Sequence, residues 1–138
     1  MEVAMTNKTR RFVMLDHIGL FVKDAQERAD FYTQLLAPLG YKKVAEYPGA
    51  ICFANETDGD SVWLESPKDN NPVIPTHVAF RAKTTDEVKA FHEAGLAAGG
   101  ADNGQPGPRP HYGPHYYAAF IHDPDGNNIE AMLNDYEA

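Results

Sequence analysis

The chain lacks the features that mark several large protein classes. Its single cysteine, Cys52, cannot form an internal disulfide, and nothing else in the sequence indicates an oxidising compartment. No apolar run approaches the length of about 18 residues that a transmembrane helix needs. The basic residues near the start are not followed by the apolar region of a secretion signal, because Asp16 and His17 interrupt it. We therefore expect a cytoplasmic protein that does not enter the membrane.

Positive charge is also scarce. The chain has 12 Lys and Arg residues against 20 Asp and Glu residues, which leaves a formal net charge of −8. Such a charge repels a nucleic-acid backbone and an anionic membrane surface, so neither is expected as a partner. A small molecule held at a local site remains compatible with it.

A sequence repeat is present and organises the chain. His17 in the stretch Asp16–Val22 is matched by His77 in the stretch Thr76–Ala82, and 77 − 17 gives an offset of 60 residues. The same offset pairs five further positions, which are Asp24 with Thr84, Glu27 with Glu87, Phe31 with Phe91, Leu36 with Leu96 and Gly40 with Gly100. A fixed offset of this length indicates two copies of one supersecondary unit.

The length of 138 residues suits one domain rather than two, because units of about 60 residues are small for independent folding. We predict a flexible leader over residues 1–13 and a single domain over residues 14–138. Within the domain, a first module (14–66) is joined by a Pro/Asn-rich linker (67–75) to a second module (76–134).

The first module predicts the order strand, helix and three strands. Residues 14–22 alternate as a strand, and Asp24 followed by Glu27 forms a capping box for a helix that ends by Gly40. The three strands that follow are predicted over Tyr41–Glu46, Ala50–Ala54 and Ser61–Glu65.

The second module repeats this order with one gap. A strand starts at His77, a helix capped by Thr84 runs to about Ala98, and the closing strands cover Tyr116–His122 and Asn128–Leu133. Residues 101–115 are rich in Gly, Pro, His and Tyr, and we predict a long loop there. His92 on the helix and His122 beside a turn are expected at the surface.

Strand alternation gathers four polar side chains on faces opposite the aliphatic residues. His17 and His77 begin the two modules, and Glu65 and Glu130 lie in their last strands. If the modules pair about a pseudo-two-fold axis, all four side chains can point into one shared trough. Two imidazoles and two carboxylates suit Ni²⁺, Zn²⁺, Co²⁺, Mn²⁺ or Fe²⁺ and leave room for substrate oxygens.

At these residues the sequence resembles the vicinal oxygen chelate superfamily, which includes glyoxalase I, bleomycin-resistance proteins and extradiol dioxygenases. The resemblance covers residues 14–134. It rests on Asp16-His17-Ile18-Gly19, on Phe31-Tyr32 followed by Leu39-Gly40, on Thr76-His77-Val78-Ala79-Phe80, and above all on the string from Phe120 to Glu130.

The resemblance implies an α+β fold in which two paired βαβββ modules form curved mixed sheets around a shared trough. It also implies a homodimer with metal ligands on the first and last strands of each module, at His17, Glu65, His77 and Glu130. The presence of Glu65 favours a glyoxalase-like lyase or isomerase, in which Glu65 or Glu130 takes a proton from a metal-bound α-hydroxycarbonyl or thioester compound and an enediolate forms. Two alternatives stay open: a non-catalytic protein that binds an antibiotic-type small molecule, and an Fe²⁺-dependent extradiol dioxygenase.

Five further side chains are candidates for contact with a substrate. Aromatic residues in strands can line a pocket or belong to the core, and a histidine in a Gly/Pro-rich loop can bind a ligand or face solvent. The candidates are Phe21, Trp63, Arg81, His115 and Tyr117.

Overall fold

The computed structural model describes residues 14–138, so the leader predicted over residues 1–13 lies outside the described residues. These described residues form eight strands and two α-helices. The strands are β1 (His17–Phe21), β2 (Tyr41–Tyr47), β3 (Ala50–Asn55), β4 (Ser61–Glu65), β5 (His77–Arg81), β6 (Ala101–Pro108), β7 (Tyr117–His122) and β8 (Asn128–Leu133), and the helices are α1 (Ala25–Leu36) and α2 (Thr85–Ala97). Short 3-10 helices cover Ala37–Leu39 and Lys68–Asn70.

The two modules form two separate four-stranded sheets with the same topology. Their strand orders are β1-β4-β3-β2 and β5-β8-β7-β6, and the first strand of each module pairs parallel with the last strand of that module. The other pairings are antiparallel. The α+β architecture of repeated βαβββ modules is confirmed, but the two sheets do not join into one closed sheet.

Both helix starts follow from the predicted capping boxes. The Asp24 side chain accepts a hydrogen bond from the backbone N–H of Glu27 at 3.2 Å, and Thr84 accepts one from Glu87 at 3.1 Å. The Glu87 side chain in turn accepts a bond from the backbone N–H of Lys83 at 2.9 Å. These bonds satisfy N–H groups that the first turn of a helix leaves free.

One prediction of secondary structure is wrong. Residues 101–108, predicted as part of a long loop, form strand β6. This strand lies at the edge of its sheet, and its pairing with β7 shifts register on both sides of Gly104. Glycine and proline are tolerated in an irregular edge strand, which explains why their abundance concealed it.

A single hydrophobic core lies on one side of each sheet and unites the two modules. Helix α1 packs on β2 and β3, helix α2 packs on β6, β7 and β8, and the helices also contact each other. The largest fully buried side chains come from both modules and include Tyr32, Phe53, Phe91, Leu35, Ile121 and Ile129.

Polar contacts between the modules reinforce this core. The hydroxyl of Tyr32 donates to Asp123 at 2.5 Å, and Arg28 pairs with Asp125 at 2.8 Å. The Asn127 amide donates to the backbone carbonyl of Phe21 at 3.0 Å. Among residues 14–138, no helix is long and apolar enough to cross a membrane.

Candidate functional site

The four expected metal ligands lie on the sheet faces that point away from the core, here called the open faces. The first open face carries His17, Gly19 and Phe21 of β1 and Ser61, Trp63 and Glu65 of β4; the second carries His77, Ala79 and Arg81 of β5 and Asn128, Glu130 and Met132 of β8. The side chains of His17 and His77 are 58% and 50% exposed. Both histidines are therefore accessible to a ligand.

The second open face holds a histidine and a glutamate in direct contact. Strand register sets Glu130 opposite Ala79, and Nε2 of His77 lies 3.0 Å from Oε1 of Glu130. The Nδ1 atom of His77 lies 3.0 Å from the backbone carbonyl of Asn128, which can only accept a hydrogen bond, so Nδ1 carries a proton.

This arrangement leaves the other ring nitrogen of His77 facing a carboxylate. Two electron pairs repel at such a distance, so the contact needs either a proton between the two atoms or a cation bound by both. Imidazole nitrogen and carboxylate oxygen both bind divalent transition metals, so Nε2 of His77 and Oε1 of Glu130 would be the ligands of such a cation.

Tyr116 completes the cluster on the second open face. Its hydroxyl donates to the other carboxylate oxygen of Glu130 at 2.5 Å, and the Glu130 residue is only 3% exposed. Burial, followed by the carboxylate of Glu130, raises the pKa of Tyr116, so its hydroxyl stays protonated and keeps donating.

The sequence places Tyr116 in a strand, as an aromatic residue that could line a pocket or belong to the core, but does not predict its contact with Glu130. A usable signal was present in the alternation of β7, where Ala118 and Phe120 pair with Met132 and Glu130 of the second open face. Tyr116 precedes Ala118 by two positions and so shares its side of the chain. Tyr117, which was selected, lies on the core side, where it is 6% exposed and its ring centroid is 4.9 Å from that of Tyr136.

The first open face presents its histidine in a similar way but with a different partner. The Nδ1 atom of His17 lies 2.8 Å from a carboxylate oxygen of Asp16, an acceptor that holds the proton on Nδ1 and leaves Nε2 free. A carboxylate bonded to the far nitrogen of a histidine orients the ring and strengthens it as a metal ligand.

Glu65 does not occupy the position in its sheet that Glu130 occupies in the other. Strand register sets Trp63 opposite Gly19, as Glu130 is opposite Ala79, and sets Glu65 opposite Phe21. Both glutamates lie on the open faces of their sheets. However, Glu65 lies two residues beyond the position in β4 that corresponds to Glu130 in β8. The carboxylate of Glu65 nevertheless extends back to Gly19.

The four expected ligands do not converge within one chain. In the described part of the chain, no three His, Cys, Asp or Glu side chains are grouped closely enough to hold a metal ion. His77 and Glu130 are in contact, whereas His17 is bonded to Asp16. The trough expected from pairing of the modules is therefore not assembled by these residues of a single chain.

The remaining candidates for substrate contact divide between the open faces and other parts of the fold. Phe21 is 50% exposed, and the half-buried Trp63 stacks on Tyr47 with ring centroids 6.2 Å apart. Arg81 is exposed and donates to Asn134 at 2.7 Å. His115 contacts the backbone carbonyl of Tyr136 at 2.9 Å and thereby ties the C-terminal segment to the loop before β7.

Two polar residues outside the expected ligand set have structural roles. His92 was expected at the surface, but only 5% of its side chain is exposed, and Nε2 lies 2.9 Å from Asp102. Arg109 donates to the backbone carbonyls of Gln105, Gly107 and Pro108 and lies over the ring of Phe120. Its guanidinium therefore stabilises the irregular second half of β6.

Comparison with known proteins places these features in context. The family model described as the glyoxalase/bleomycin resistance protein/dioxygenase superfamily matches residues 14–131. No curated protein matches the chain in sequence. The solved structures that resemble it include a glyoxalase/bleomycin resistance protein from Albidiferax ferrireducens T118, with 29% identity, a TM-score of 0.75 and coverage of 87% of this chain and 98% of that chain.

Two further solved structures resemble the chain in fold. A glyoxalase-related enzyme from Fulvimarina pelagi has 22% identity and a TM-score of 0.66, with 89% of each chain covered. A lactoylglutathione lyase from Agrobacterium tumefaciens has 22% identity and a TM-score of 0.65, with 87% of this chain and 92% of that chain covered.

Proposed function

We propose that this chain, which belongs to the glyoxalase/bleomycin resistance protein/dioxygenase superfamily, is a divalent-metal-dependent lyase or isomerase that acts on a small α-hydroxycarbonyl or thioester compound. The observation that carries the proposal is the contact between Nε2 of His77 and Oε1 of Glu130, which requires a proton or a cation. His17, Glu65, His77 and Glu130 are the proposed ligands, and Ni²⁺, Zn²⁺, Co²⁺, Mn²⁺ and Fe²⁺ suit this donor set.

A second copy of the chain is needed to bring these ligands together. His77 and Glu130 already touch, whereas His17 and Glu65 lie on the open face of the other module. We therefore propose a homodimer in which the first module of one copy supplies His17 and Glu65 and the second module of the other supplies His77 and Glu130. The exposure of both histidines in the single chain supports this arrangement.

The proposed chemistry is proton transfer next to a carbonyl group. A bound divalent cation would polarise the substrate carbonyl and make the adjacent C–H more acidic. In the described chain, the Glu65 carboxylate accepts no hydrogen bond, whereas both oxygens of Glu130 are engaged, by His77 and Tyr116. We assign the general base to Glu65 for this reason, because its carboxylate can accept the proton without breaking a hydrogen bond to the described chain.

The rest of the open faces suits a small substrate with an anionic end. Phe21 and Trp63 offer apolar surface on the first open face. Arg81 lies on the second open face and has no carboxylate partner within 4 Å among residues 14–138. Its guanidinium has donors left for a substrate carboxylate, which it can bind through two parallel hydrogen bonds.

Metal analysis tests this function before any substrate is identified. Purified protein is saturated with Ni²⁺, Zn²⁺, Co²⁺ or Mn²⁺, freed of excess metal and analysed beside the His17→Ala, Glu65→Ala, His77→Ala and Glu130→Ala variants. We expect stoichiometric metal in the unmodified protein and weaker binding in each variant. Absence of stoichiometric metal in the unmodified protein would rule the proposal out.

A mixing experiment tests the shared site. His17→Ala and His77→Ala chains are unfolded, mixed and refolded together, with each variant refolded alone as the control. In a mixed dimer with shared sites, one site carries both substitutions and the other carries neither, so tight metal binding returns in the mixture. If each site lies within one chain, the mixture binds no better than the separate variants.

One observation favours an extradiol-type dioxygenase as a second candidate. Trp63 occupies the register position that would match Glu130, which leaves two histidines and one in-register glutamate. That set resembles the facial triad of non-haem Fe²⁺ oxygenases. Oxygen uptake with catechols in the presence of Fe²⁺, unchanged by Glu65→Gln, would support this candidate over the lyase.

The exposed aromatic residues favour a third candidate, a non-catalytic protein that binds an apolar or aromatic compound. Phe21 and Tyr47 are 50% and 59% exposed, and Trp63 lies between them on the first open face. Thermal stabilisation by such a compound that survives both a chelator and His17→Ala would support it.

A further inference from the structure

Glu65 and Glu130 occupy different register positions in their sheets. The residue opposite Gly19 is Trp63, and Glu65 lies two residues further along β4, which is about 6.7 Å at the rise of a strand. If the Glu65 side chain stood perpendicular to the sheet, its carboxylate would lie beside Phe21. In the second module Glu130 lies beside Ala79, the counterpart of Gly19, and there it meets His77.

The side chain of Glu65 covers this distance by extending along the open face. Its Oε2 atom lies in the space directly above the Cα atom of Gly19, where a Cβ would stand in any other residue. A Cβ built on Gly19 would overlap Oε2 and would lie 3.5 Å from the carboxylate carbon. The carboxylate therefore fills a gap that exists only because residue 19 has no side chain.

Backbone conformation does not explain why residue 19 is glycine. The glycines of the described chain with positive φ are Gly40, Gly49, Gly59, Gly99, Gly104 and Gly126, and Gly19 is not one of them. Residue 19 lies in a regular strand, where glycine is normally unfavourable because it loses more conformational entropy on folding. The repeat-related residue in β5 is Ala79, and there Glu130 lies directly opposite and needs no such gap.

We propose that Gly19 is a positioning residue. Its missing side chain leaves the space in which the Glu65 carboxylate lies, two residues along the strand from Glu65 itself and beside Trp63. The two modules then supply carboxylates at matching levels by different routes. This inference rests on the proposed function, because it assigns Glu65 to the metal site.

The test measures metal affinity in a Gly19→Ala variant. The added methyl group displaces the far end of a flexible side chain and no backbone atom, so the sheet is expected to stay folded, which circular dichroism checks. We expect metal affinity to fall by about 10- to 100-fold, in the range found when a group that orients a metal ligand is removed. Ala79→Gly, at the matched position of the second module, is the control and is expected to change the affinity less than about twofold, well below that range.

A double-mutant cycle separates positioning from general damage to the strand. If Gly19→Ala acts through Glu65, it causes no further loss in a Glu65→Ala chain. Additive losses in the double variant would overturn the inference.

The outcomes distinguish this inference from the proposed function. If the unmodified chain holds no metal, the proposed function fails and the role of Gly19 fails with it. If the unmodified chain binds metal and Gly19→Ala binds it equally well, the role of Gly19 alone is overturned.

Discussion

The two modules of this chain share one topology but hold their carboxylates in opposite ways. In the second module Glu130 lies in register opposite Ala79, is 3% exposed, and is fixed by His77 on one side and Tyr116 on the other. In the first module Glu65 is out of register and half-buried, and no hydrogen bond within residues 14–138 holds its carboxylate. One module is preorganised, and the other holds a carboxylate that only the gap at Gly19 accommodates.

This difference shows how a repeat can diverge within one fold. The helices, caps and aliphatic positions of both modules serve a common core, so their pattern is retained. The open faces do not serve the core, and there Trp63 and Glu130 occupy matching positions. A rigid carboxylate suits a constant metal ligand, whereas a free one suits proton transfer.

The largest expected effect is at the rigid carboxylate. Glu130→Ala removes a proposed ligand and leaves the hydroxyl of Tyr116 and Nε2 of His77 without their partner. We expect metal affinity to fall by more than about 100-fold, beyond the usual cost of losing an outer partner. Equilibrium dialysis measures it, with Glu137→Ala in the C-terminal segment as the control. A smaller loss than in Glu65→Ala would reverse the roles given to the modules.

Tyr116→Phe tests whether preorganisation of Glu130 matters. The substitution keeps the ring and removes only the hydroxyl that donates to Glu130. Metal affinity is expected to fall by about 10- to 100-fold, because groups that orient a ligand contribute in that range. Tyr112→Phe, in the same loop, is the control. Equal affinities in Tyr116→Phe and the unmodified chain would show that burial alone fixes Glu130.

Trp63→Glu makes the first module more like the second. In a Glu65→Ala chain it returns a carboxylate at the register position opposite Gly19. We expect it to recover about tenfold of the lost metal affinity, whereas Trp63→Gln in the same chain recovers none. Recovery with glutamine as well would mean that removal of the indole, rather than the new charge, is responsible.

Gly95→Ala tests the packing between the modules. A Cβ at residue 95 would lie 2.9 Å from both Leu35 of the first module and Ile121 of the second. Overpacking of a tight core costs about 1–3 kcal/mol, so the free energy of unfolding in urea is expected to fall by that amount. Ala90→Gly, at an exposed position inside α2, controls for the change of helix propensity. No loss would indicate that the modules move apart easily.

The smallest expected effect concerns stability at low pH. The hydrogen bond from His92, followed by bonds from Gly104 and Gln105, lowers the pKa of Asp102 to about 2. A carboxyl group whose pKa is depressed by folding stabilises the fold above its unfolded pKa of about 3.9, and this contribution disappears as the pH falls towards 2. Tm of Asp102→Asn should therefore lie below that of the unmodified chain at pH 6, with the gap closing by pH 2. Asp135→Asn, on the exposed C-terminal segment, should show no such gap.

The same position in the first module shows why this contact is local. Tyr32 occupies the place that His92 occupies in the repeat and is also buried, but its hydroxyl donates to Asp123 of the other module. His92 instead contacts Asp102 within its own module. Loss of the Asp102 contact is therefore expected to loosen β6 against α2 rather than to separate the modules.

Much of the fold could be predicted because it depends on local rules. The offset of 60 residues, the caps at Asp24 and Thr84, and strand alternation identified both helices and seven of the eight strands. Strand β6 was missed because an edge strand tolerates Gly and Pro, which normally indicate a loop. His92 was misplaced because a polar residue on a helix is usually exposed, and its partner Asp102 lies in the strand that was missed.

For the candidate site, the sequence could predict which face of each sheet carries the residues, but not which residues contact one another. Alternation placed His17, Glu65, His77 and Glu130 on the open faces, because the period of a strand is two residues. It could not show that Glu65 is opposite Phe21 rather than Gly19, since register depends on how two strands pair and not on either strand alone. The role of Tyr116 depends on the same cross-strand register.

The sequence by itself determined the repeated βαβββ order, the capped helices and the face of each sheet that carries the histidines. These features depend on interactions between residues close along the chain, or on the need to bury one face of each element. Only the tertiary structure decided that His77 meets Glu130 and that Glu65 extends along β4 to the gap at Gly19. Those contacts depend on distances between strands, which no local pattern of residues records.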